Sequence, residues 1–289
     1  MVDVARDAYV WGYPLVVMHR TRALHCSRTP LGELNHVDEL ATPAARTVVA
    51  PNNDTLYSSG WYDLSAGDVV VSVPPIERYW SVMVLDAYTH VSYVSRRTHG
   101  TSGAEVRLTL DPGAPVPPGA ASDVIGIPTP TIWILVRTIV DGPDDLDAAR
   151  RVQRSIEVRP PDGHAHDRTE PAGRPNQVHT AGAAFFDELR SALSVDPPGS
   201  HHPQPDDRVP HLLDHLEDAD SETLAEGVRL GEEVIAVGPV ATERRNGWGT
   251  NPTGSDFGDD VERRAITAKY VLAAHHPVEN RSYVAQADA

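Results

Sequence analysis

Hydrophobic residues at helical spacing open the chain and return in its second half. Between Val4 and Met18, apolar side chains recur every three to four residues, which predicts an amphipathic helix over residues 3–26. Pro14 lies inside this pattern, so we expect the helix to kink there or to split in two. Further helical patterns cover residues 144–157, 181–194, 206–217, 220–238 and 259–275.

The middle of the chain has the pattern of β-strands. Apolar and polar residues alternate over short runs, and proline, glycine, asparagine and aspartate separate the runs. The candidate strands are residues 46–50, 55–64, 68–74, 80–94, 104–110 and 131–140. Short strands at this spacing are typical of a β-sandwich or barrel, so we expect an α+β protein. Its expected parts are an N-terminal helical segment (1–45), a β core (46–142) and a helical C-terminal region (143–289) with a flexible loop at 158–178.

The strand predicted over residues 55–64 has one face that is unusual for a protein core. Side chains alternate along a strand, so every second residue shares a side. The shared side combines aromatic rings, hydroxyls and a carboxylate: Thr55, Tyr57, Ser59, Trp61 and Asp63. Such a face suits an organic ligand with several oxygen atoms, and the polar turn of Asn53 and Asp54 leads into it. The alternative is a solvated sheet face with a few exposed aromatic residues.

The strand predicted over residues 80–94 changes character along its length. Its even-numbered residues start apolar and become ionisable: Trp80, Val82, Val84, Asp86, Tyr88 and His90. This gradient is typical of a barrel with a packed floor and a polar mouth. Asp86, Tyr88 and His90 are therefore candidate acid–base groups for catalysis near neutral pH. The alternative is an exposed strand end at which Asp86 fixes a turn.

The last predicted strand of the β core places an arginine among large apolar side chains. Arg137 shares a face with Trp133, and because an unpaired buried charge is very costly, it needs an acidic partner or a ligand. Arg137 is a candidate for binding a carboxylate or enolate oxygen. A structural ion pair with Asp54, Asp63 or Asp86 is the alternative. Shared parity on three strands predicts one pocket, lined by Tyr57, Trp61, Asp86, Tyr88, His90, Trp133 and Arg137.

Charge and composition narrow the classes of function. The 289 residues carry a net charge of −16, which disfavours nucleic acid and an anionic membrane surface as partners. No apolar stretch approaches the length of a membrane span, and the N-terminus lacks the pattern of a signal peptide, so we expect a cytoplasmic protein. Cys26 is the single cysteine, which excludes an internal disulfide and a cysteine-based zinc cluster.

The sequence also lacks the short motifs of common cofactor sites. It has no glycine-rich dinucleotide fingerprint, no phosphate loop and no nucleophile elbow. Two histidine pairs have metal-ligand spacing, but His164 and His166 lie in the flexible loop, and His211 and His215 lie on an acidic helix. We therefore expect no metal, no cofactor and a small-molecule substrate. A homodimer is compatible with the sequence.

Four motifs resemble the family called domain of unknown function 1254, whose members often continue into domain of unknown function 1214. The motifs are Ala8–Pro14 (AYVWGYP), Pro51–Ser58 (PNNDTLYS), Arg78–Trp80 with Leu85–Thr89 (RYW, LDAYT), and Thr131–Thr138 (TIWILVRT) followed by Asp141-Gly142. The resemblance implies a jelly-roll-like antiparallel β fold with flanking helices and supplies no established reaction. Since the strands of the second domain are missing, we expect either a naturally short member or a partner chain that provides them.

Two histidines depart from the pattern of this family. His90 and His99 stand where relatives tend to have asparagine and threonine. Two new histidines at the mouth of the predicted pocket suggest specialised acid–base chemistry, with neutral drift as the alternative. The substrate-binding candidates are therefore Asn53, Asp54, Tyr57, Trp61, His99 and Trp133.

The leading functional hypothesis is a metal-independent acid–base enzyme that acts on an oxygenated small molecule. The fitting reaction is that of a dehydrating lyase or cyclase of natural-product metabolism. His90 and Asp86 would transfer protons, while Arg137 or Tyr88 would stabilise an enolate. A lyase acting on a uronate polysaccharide is the alternative enzyme, and a non-catalytic binding or assembly protein is the alternative of another class.

Overall fold

The computed structural model describes residues 1–42, 52–110, 112–113, 121, 123–161, 182–199, 201–238, 243–245, 248–250, 254–275, 279 and 283–285. Its helices are α1 (Val2–Cys26), α2 (Arg96–His99), α3 (Leu146–Ser155), α4 (Gly182–Val195), α5 (Arg208–Asp214), α6 (Ser221–Ile235) and α7 (Val261–Tyr270). Its strands are β1 (Asn35–Val37), β2 (Thr55–Asp63), β3 (Val69–Val73), β4 (Trp80–Asp86), β5 (Val91–Ser95), β6 (Ala104–Thr109), β7 (Asp123–Gly126), β8 (Thr131–Ile139), β9 (Glu157–Arg159), β10 (Glu243–Arg245), β11 (Trp248–Thr250) and β12 (Tyr283–Ala285). The mixture of helices and sheets confirms the predicted α+β class.

The elements form two compact units that interleave along the chain. The helical unit consists of Met1–Thr21, Ala87–Val91 and Ala172–Ala289, and the sheet unit consists of Arg22–Asp86 and Ser92–Pro171. These units cut across the three segments expected from the sequence. Helix α1 begins in the helical unit and ends in the sheet unit, and a five-residue segment interrupts the sheet unit.

The sheet unit is a sandwich of two sheets. One sheet has the strand order β1-β2-β8-β4-β5, and the other has the order β7-β6-β3-β9. All described pairs in this unit are antiparallel except β6 with β7, which run parallel. The sequence predicted a β-sandwich or a barrel. The described strands form no closed barrel, so the structure confirms the sandwich.

Alternating valines and isoleucines build the core between the two sheets. In β3 every second residue is buried, as expected for a strand with one face in the core. Val71, Val82 and Ile134 belong to this core and are fully buried, and burial of one such side chain contributes about 1.5–3 kcal/mol. Gln153 of α3 fastens this helix to the first sheet by donating hydrogen bonds to the Tyr57 carbonyl at 2.9 Å and the Val37 carbonyl at 3.2 Å.

The core of the helical unit joins the first part of α1 to the helices that follow residue 182. Gly12 allows a close approach to α4, because a Cβ atom at this position would lie 2.5 Å from the Leu189 side chain. Helix α1 continues through Pro14 without interruption, so the predicted split does not occur. Among the described residues, no helix is long and apolar enough to cross a membrane.

A turn divides the long strand that the sequence predicts over residues 80–94. Strand β4 ends at Asp86, and β5 begins only at Val91. The intervening residues form a turn in which Thr89 has a φ of +66°. Strand alternation therefore stops before Tyr88 and His90, which the sequence analysis placed on the strand.

Candidate functional site

One residue of the turn between β4 and β5, Thr89, has an unfavourable backbone conformation. A positive φ is rare for a β-branched residue, and such strain costs on the order of 1–3 kcal/mol. Thr89 carries this strain although it is only 2% exposed. Its hydroxyl has no hydrogen-bond partner among the described residues. The turn is therefore strained in its backbone and contains an unsatisfied buried polar group.

Arg264 of α7 fastens this turn from within the helical unit. Its Nη1 donates a 2.8 Å hydrogen bond to the Tyr88 carbonyl, and its Nη2 donates a 3.0 Å hydrogen bond to His90 Nε2. The guanidinium also lies over the ring of Phe257, at 5.4 Å from the ring centroid. Because arginine can only donate, His90 Nε2 acts as an acceptor. Nη1 of the same arginine lies 3.4 Å from His90 Nδ1, so the guanidinium faces both ring nitrogens.

His202 supplies a second imidazole beside the turn. The side chain is buried, and its Nδ1 accepts a 2.9 Å hydrogen bond from the Gly199 backbone N–H. A neutral His202 therefore carries its hydrogen on Nε2. The ring stacks on Tyr88 at 4.3 Å and lies 4.9 Å from the His90 ring, both measured between ring centroids. We call Tyr88, His90, His202 and Arg264 the imidazole cluster.

Tyr88 connects the imidazole cluster to a histidine–aspartate pair. Its hydroxyl donates a 3.0 Å hydrogen bond to the carbonyl of Asp196, directly after α4. The Asp196 carboxylate is fully buried and lies 2.8 Å from His19 Nε2, while about a fifth of the His19 side chain is exposed. A carboxylate accepts hydrogen bonds, so His19 Nε2 donates. The Nδ1 lone pair of a neutral His19 remains as a proton acceptor.

A second polar and aromatic region lies in the sheet unit, on the face of the first sheet that points away from the sandwich core. We call it the aromatic strip, and its residues are Tyr57, Ser59, Trp61, Trp133 and Arg137. Strands β2 and β8 pair Tyr57 with Arg137 and Trp61 with Trp133. The two indole rings are nearly parallel at 5.1 Å. Trp133 Nε1 donates a 2.9 Å hydrogen bond to the Ser59 hydroxyl, and Arg137 lies 5.5 Å above the Tyr57 ring.

The strand register contradicts the predicted single pocket. Trp133 of β8 faces Leu85 of β4, so Asp86 belongs to the opposite face of the sheet, where it pairs with Ile132. Asp86 is buried on that inner face, whereas Trp133 lies on the outer one. Within each strand, the alternation of residues correctly predicted which side chains of the aromatic strip share a face. Which face of one strand lies beside which face of the next depends on register, and the sequence does not reveal the register.

The other substrate-binding candidates occupy separate places. Asn53 and Asp54 are exposed in the turn before β2, where Asp54 accepts a hydrogen bond from the Thr55 hydroxyl. His99 lies in the sheet unit, whereas His90 belongs to the helical unit. The two histidines that depart from the family pattern therefore do not share a unit.

Two pairs of histidines in the described part of the helical unit are candidates to hold a metal. His90 and His202 lie in the imidazole cluster, and the exposed pair His211 and His215 has ring centroids 4.4 Å apart. His164 and His166 lie outside the described residues. In the sheet unit, burial raises the pKa of the Cys26 thiol, which disfavours the reactive thiolate.

Sequence reasoning missed most of the imidazole cluster. His202, Arg264 and the His19–Asp196 pair form no local motif, and Arg264 is 174 residues away from His90 in the sequence. The available signal was the pair Arg263-Arg264 in the last helix, of which one falls inside the apolar pattern. Such an arginine predicts a buried partner but does not identify it.

Comparisons with known proteins provide a family and a fold. The family model described as "Protein of unknown function (DUF1254)" matches residues 31–160. No curated protein matches the sequence. The structure is similar to the VPA0106 protein from Vibrio parahaemolyticus, with 20% identity and a TM-score of 0.59 over 93% of this chain and 66% of that one. An uncharacterised protein from Burkholderia cenocepacia matches with 12% identity and a TM-score of 0.33, over 78% of this chain and 50% of that one. The first likeness shows a shared fold, and the chain spans about two thirds of that relative.

Proposed function

We propose that this chain, whose residues 31–160 belong to the DUF1254 family of proteins of unknown function, is an acid–base enzyme acting on an oxygenated small molecule. The observation that carries this proposal is the imidazole cluster. Two histidines from separate segments have ring centroids 4.9 Å apart, next to a turn with a positive φ at a threonine. Strained backbone of this kind concentrates at functional sites, where it fixes reactive groups.

The orientation of both imidazoles favours the binding of a substrate oxygen. Arg264 contacts Nε2 of His90, and the Gly199 N–H contacts Nδ1 of His202, so both rings are held in fixed orientations. Fixed donors stabilise an oxygen on which negative charge develops. The contacts of Arg264 with both ring nitrogens disfavour the base role that the sequence suggested for His90, and we assign it to the stabilisation of such an oxygen.

The His19–Asp196 pair is the candidate proton acceptor of the same unit. Asp196 orients the imidazole through Nε2, which leaves the Nδ1 lone pair of His19 to accept a proton. The backbone carbonyl of Asp196 also accepts a hydrogen bond from the Tyr88 hydroxyl, and the Tyr88 ring stacks on His202. The acceptor and the donors are therefore linked through one aspartate and one tyrosine.

These roles fit a dehydrating lyase or cyclase. The acceptor would remove a proton from the carbon next to a carbonyl group. His90 and His202 would stabilise the resulting enolate oxygen. The β-hydroxyl group would then take the proton from protonated His19 and leave as water, as its C–O bond breaks and a C=C bond forms. In a cyclase the same enolate would close a ring, a type of step used in natural-product metabolism.

The proposal is tested by incubating the protein in D₂O with a panel of β-hydroxy ketones and β-hydroxy esters. We expect mass spectrometry to show deuterium gain at the carbon next to the carbonyl, followed by loss of one water. His90→Asn and His202→Phe should abolish both changes, while Tyr57→Phe, from the aromatic strip, should retain them. If neither change occurs with any panel member, or if both persist in the histidine variants, the proposal is wrong.

A further inference from the structure

A hydroxyl, an imidazole and a carboxylate form a hydrogen-bonded chain in the sheet unit. Thr98 Oγ1 lies 2.7 Å from His99 Nδ1, and His99 Nε2 lies 2.9 Å from Asp123 Oδ2. Thr98 and His99 belong to α2, and Asp123 begins β7. The imidazole cluster belongs to the helical unit, so this second arrangement is independent of the function proposed above.

The hydrogen-bond partners determine which nitrogen of His99 carries the hydrogen. Because the Asp123 carboxylate accepts, His99 Nε2 donates, and the neutral ring has its lone pair on Nδ1. That lone pair meets the Thr98 hydroxyl, which also accepts a 2.9 Å hydrogen bond from the Ser95 backbone N–H. The threonine hydrogen thus remains to be donated to His99, with the Ser95 carbonyl at 3.2 Å as the competing acceptor.

The threonine is both accessible and fixed in position. Thr98 is exposed, whereas 18% of the His99 side chain remains accessible. Thr98 is also part of a capping box with Ser95 at the start of α2, which restricts the rotation of its side chain. An exposed hydroxyl that is held against a carboxylate-oriented imidazole has the arrangement of an activated nucleophile.

We propose that Thr98 is an acyl-accepting nucleophile for small activated esters, with His99 as its base and Asp123 as a positioning residue. Thr98 Oγ would form a bond to the ester carbonyl carbon while its proton passes to His99 Nδ1. The bond from that carbon to the alcohol oxygen would break, and His99 would return the proton to the leaving alcohol. Water would then hydrolyse the acyl–threonine by the same proton transfers.

The experiment uses p-nitrophenyl acetate with the full chain, followed by tryptic digestion and tandem mass spectrometry. Cleavage after Arg97 and Arg107 yields a peptide that begins at Thr98. The chain has a single lysine, Lys269, so background acetylation of amines is small. We expect one acetyl group on Thr98 that is absent in Thr98→Val. His99→Asn should slow its formation roughly 10²–10⁴-fold, the usual effect of losing a positioned base.

Three further variants separate activation from a structural role. Ser102→Ala removes another hydroxyl of the same peptide and should leave acetylation unchanged. Asp123→Asn should slow acetylation and shift its pH profile without changing the melting temperature, and Asp123→Glu should restore part of the rate. Acetylation of other residues alone, or equal acetylation of Thr98 in His99→Asn, would overturn the proposal.

Discussion

The imidazole cluster and the aromatic strip contain similar residue types but hold them in different ways. In the aromatic strip, Trp61 and Trp133 face each other across a regular strand pair. Polar groups within the strip bond to each other, as when Trp133 donates a hydrogen bond to Ser59. In the imidazole cluster, His90 and His202 lie on a turn and a loop, and Arg264 of α7 fixes one of them. Aromatic and charged residues on a strand face therefore do not by themselves mark a catalytic site. Side chains that tertiary contacts hold beside a strained backbone are the stronger indication of a catalytic site.

If the imidazole cluster rather than the aromatic strip is the active site, His90→Asn should have the largest effect on turnover. Loss of the positioned imidazole should lower turnover roughly 10²–10³-fold, the range seen when one oxyanion-stabilising group is removed. Tyr57→Phe is the matched change in the aromatic strip and should leave turnover within about twofold, because no proton transfer in our proposal uses it. Steady-state rates with a reactive β-hydroxy ketone measure both.

A reversal of these two results would move the active site to the sheet unit. If His90→Asn retains the wild-type rate while Tyr57→Phe loses it, then the aromatic strip binds the substrate. Thermal unfolding of both variants serves as the control that neither rate reflects a damaged fold.

Trp61→Ala should destabilise the sheet unit strongly. Trp61 is fully buried and stacked on Trp133, and truncation of such a ring costs about 3–5 kcal/mol. The milder change Trp133→Phe removes the hydrogen bond to Ser59 and should cost about 1 kcal/mol. Urea unfolding measures both free energies, and a Trp61→Ala protein of unchanged stability would contradict a structural role for the strip.

Thr89→Gly should raise the stability of the protein and lower its turnover. Glycine adopts a positive φ without strain and removes the buried hydroxyl that lacks a partner, so the free energy of unfolding should rise by about 1–2 kcal/mol. Turnover should fall, because the turn would no longer fix His90. Thr89→Ala keeps the strain and removes only the hydroxyl, so it should gain less stability. Lower stability of the glycine variant would show that the turn is not strained.

The smallest effect concerns His25, a half-buried histidine of the sheet unit. Burial lowers the pKa of His25, while the nearby Ser59 backbone raises it slightly and the charge of Arg28 lowers it slightly. In the unfolded chain the pKa is about 6.5, so the unfolded state binds more protons below that pH. The stability from neutral His25 is therefore complete above about pH 6.5 and is lost as the pH falls toward the lower folded pKa.

His25→Gln should flatten this pH dependence, as measured by urea unfolding on both sides of that pH. The exposed His211 provides the control, because His211→Gln should leave the pH dependence unchanged. An unchanged slope in His25→Gln would show that other groups cause the acid sensitivity.

Local periodicity allowed much of the sheet unit to be predicted, but not the candidate site. Alternation in β2 correctly grouped Tyr57 with Trp61, since every second residue of a strand shares a face. It failed at Asp86, because the face of one strand relative to the next depends on register. The turn after Asp86 was missed, since no glycine, proline or asparagine marks residues 87–90. The contact between His90 and Arg264 depends on tertiary structure and has no local signal.

The interleaving of the two units has a consequence for the order in which they can form during synthesis. The ribosome completes the sheet unit once residue 171 has emerged, and that unit can then fold with residues 87–91 as an unanchored loop. His202 and Arg264 emerge only later, so the imidazole cluster is among the last features to assemble. A nascent chain stalled just after residue 171 has emerged from the ribosome would therefore contain a protease-resistant sandwich in which residues 87–91 are still cleaved. The conformation of Thr89 would become fixed only when α7 arrives.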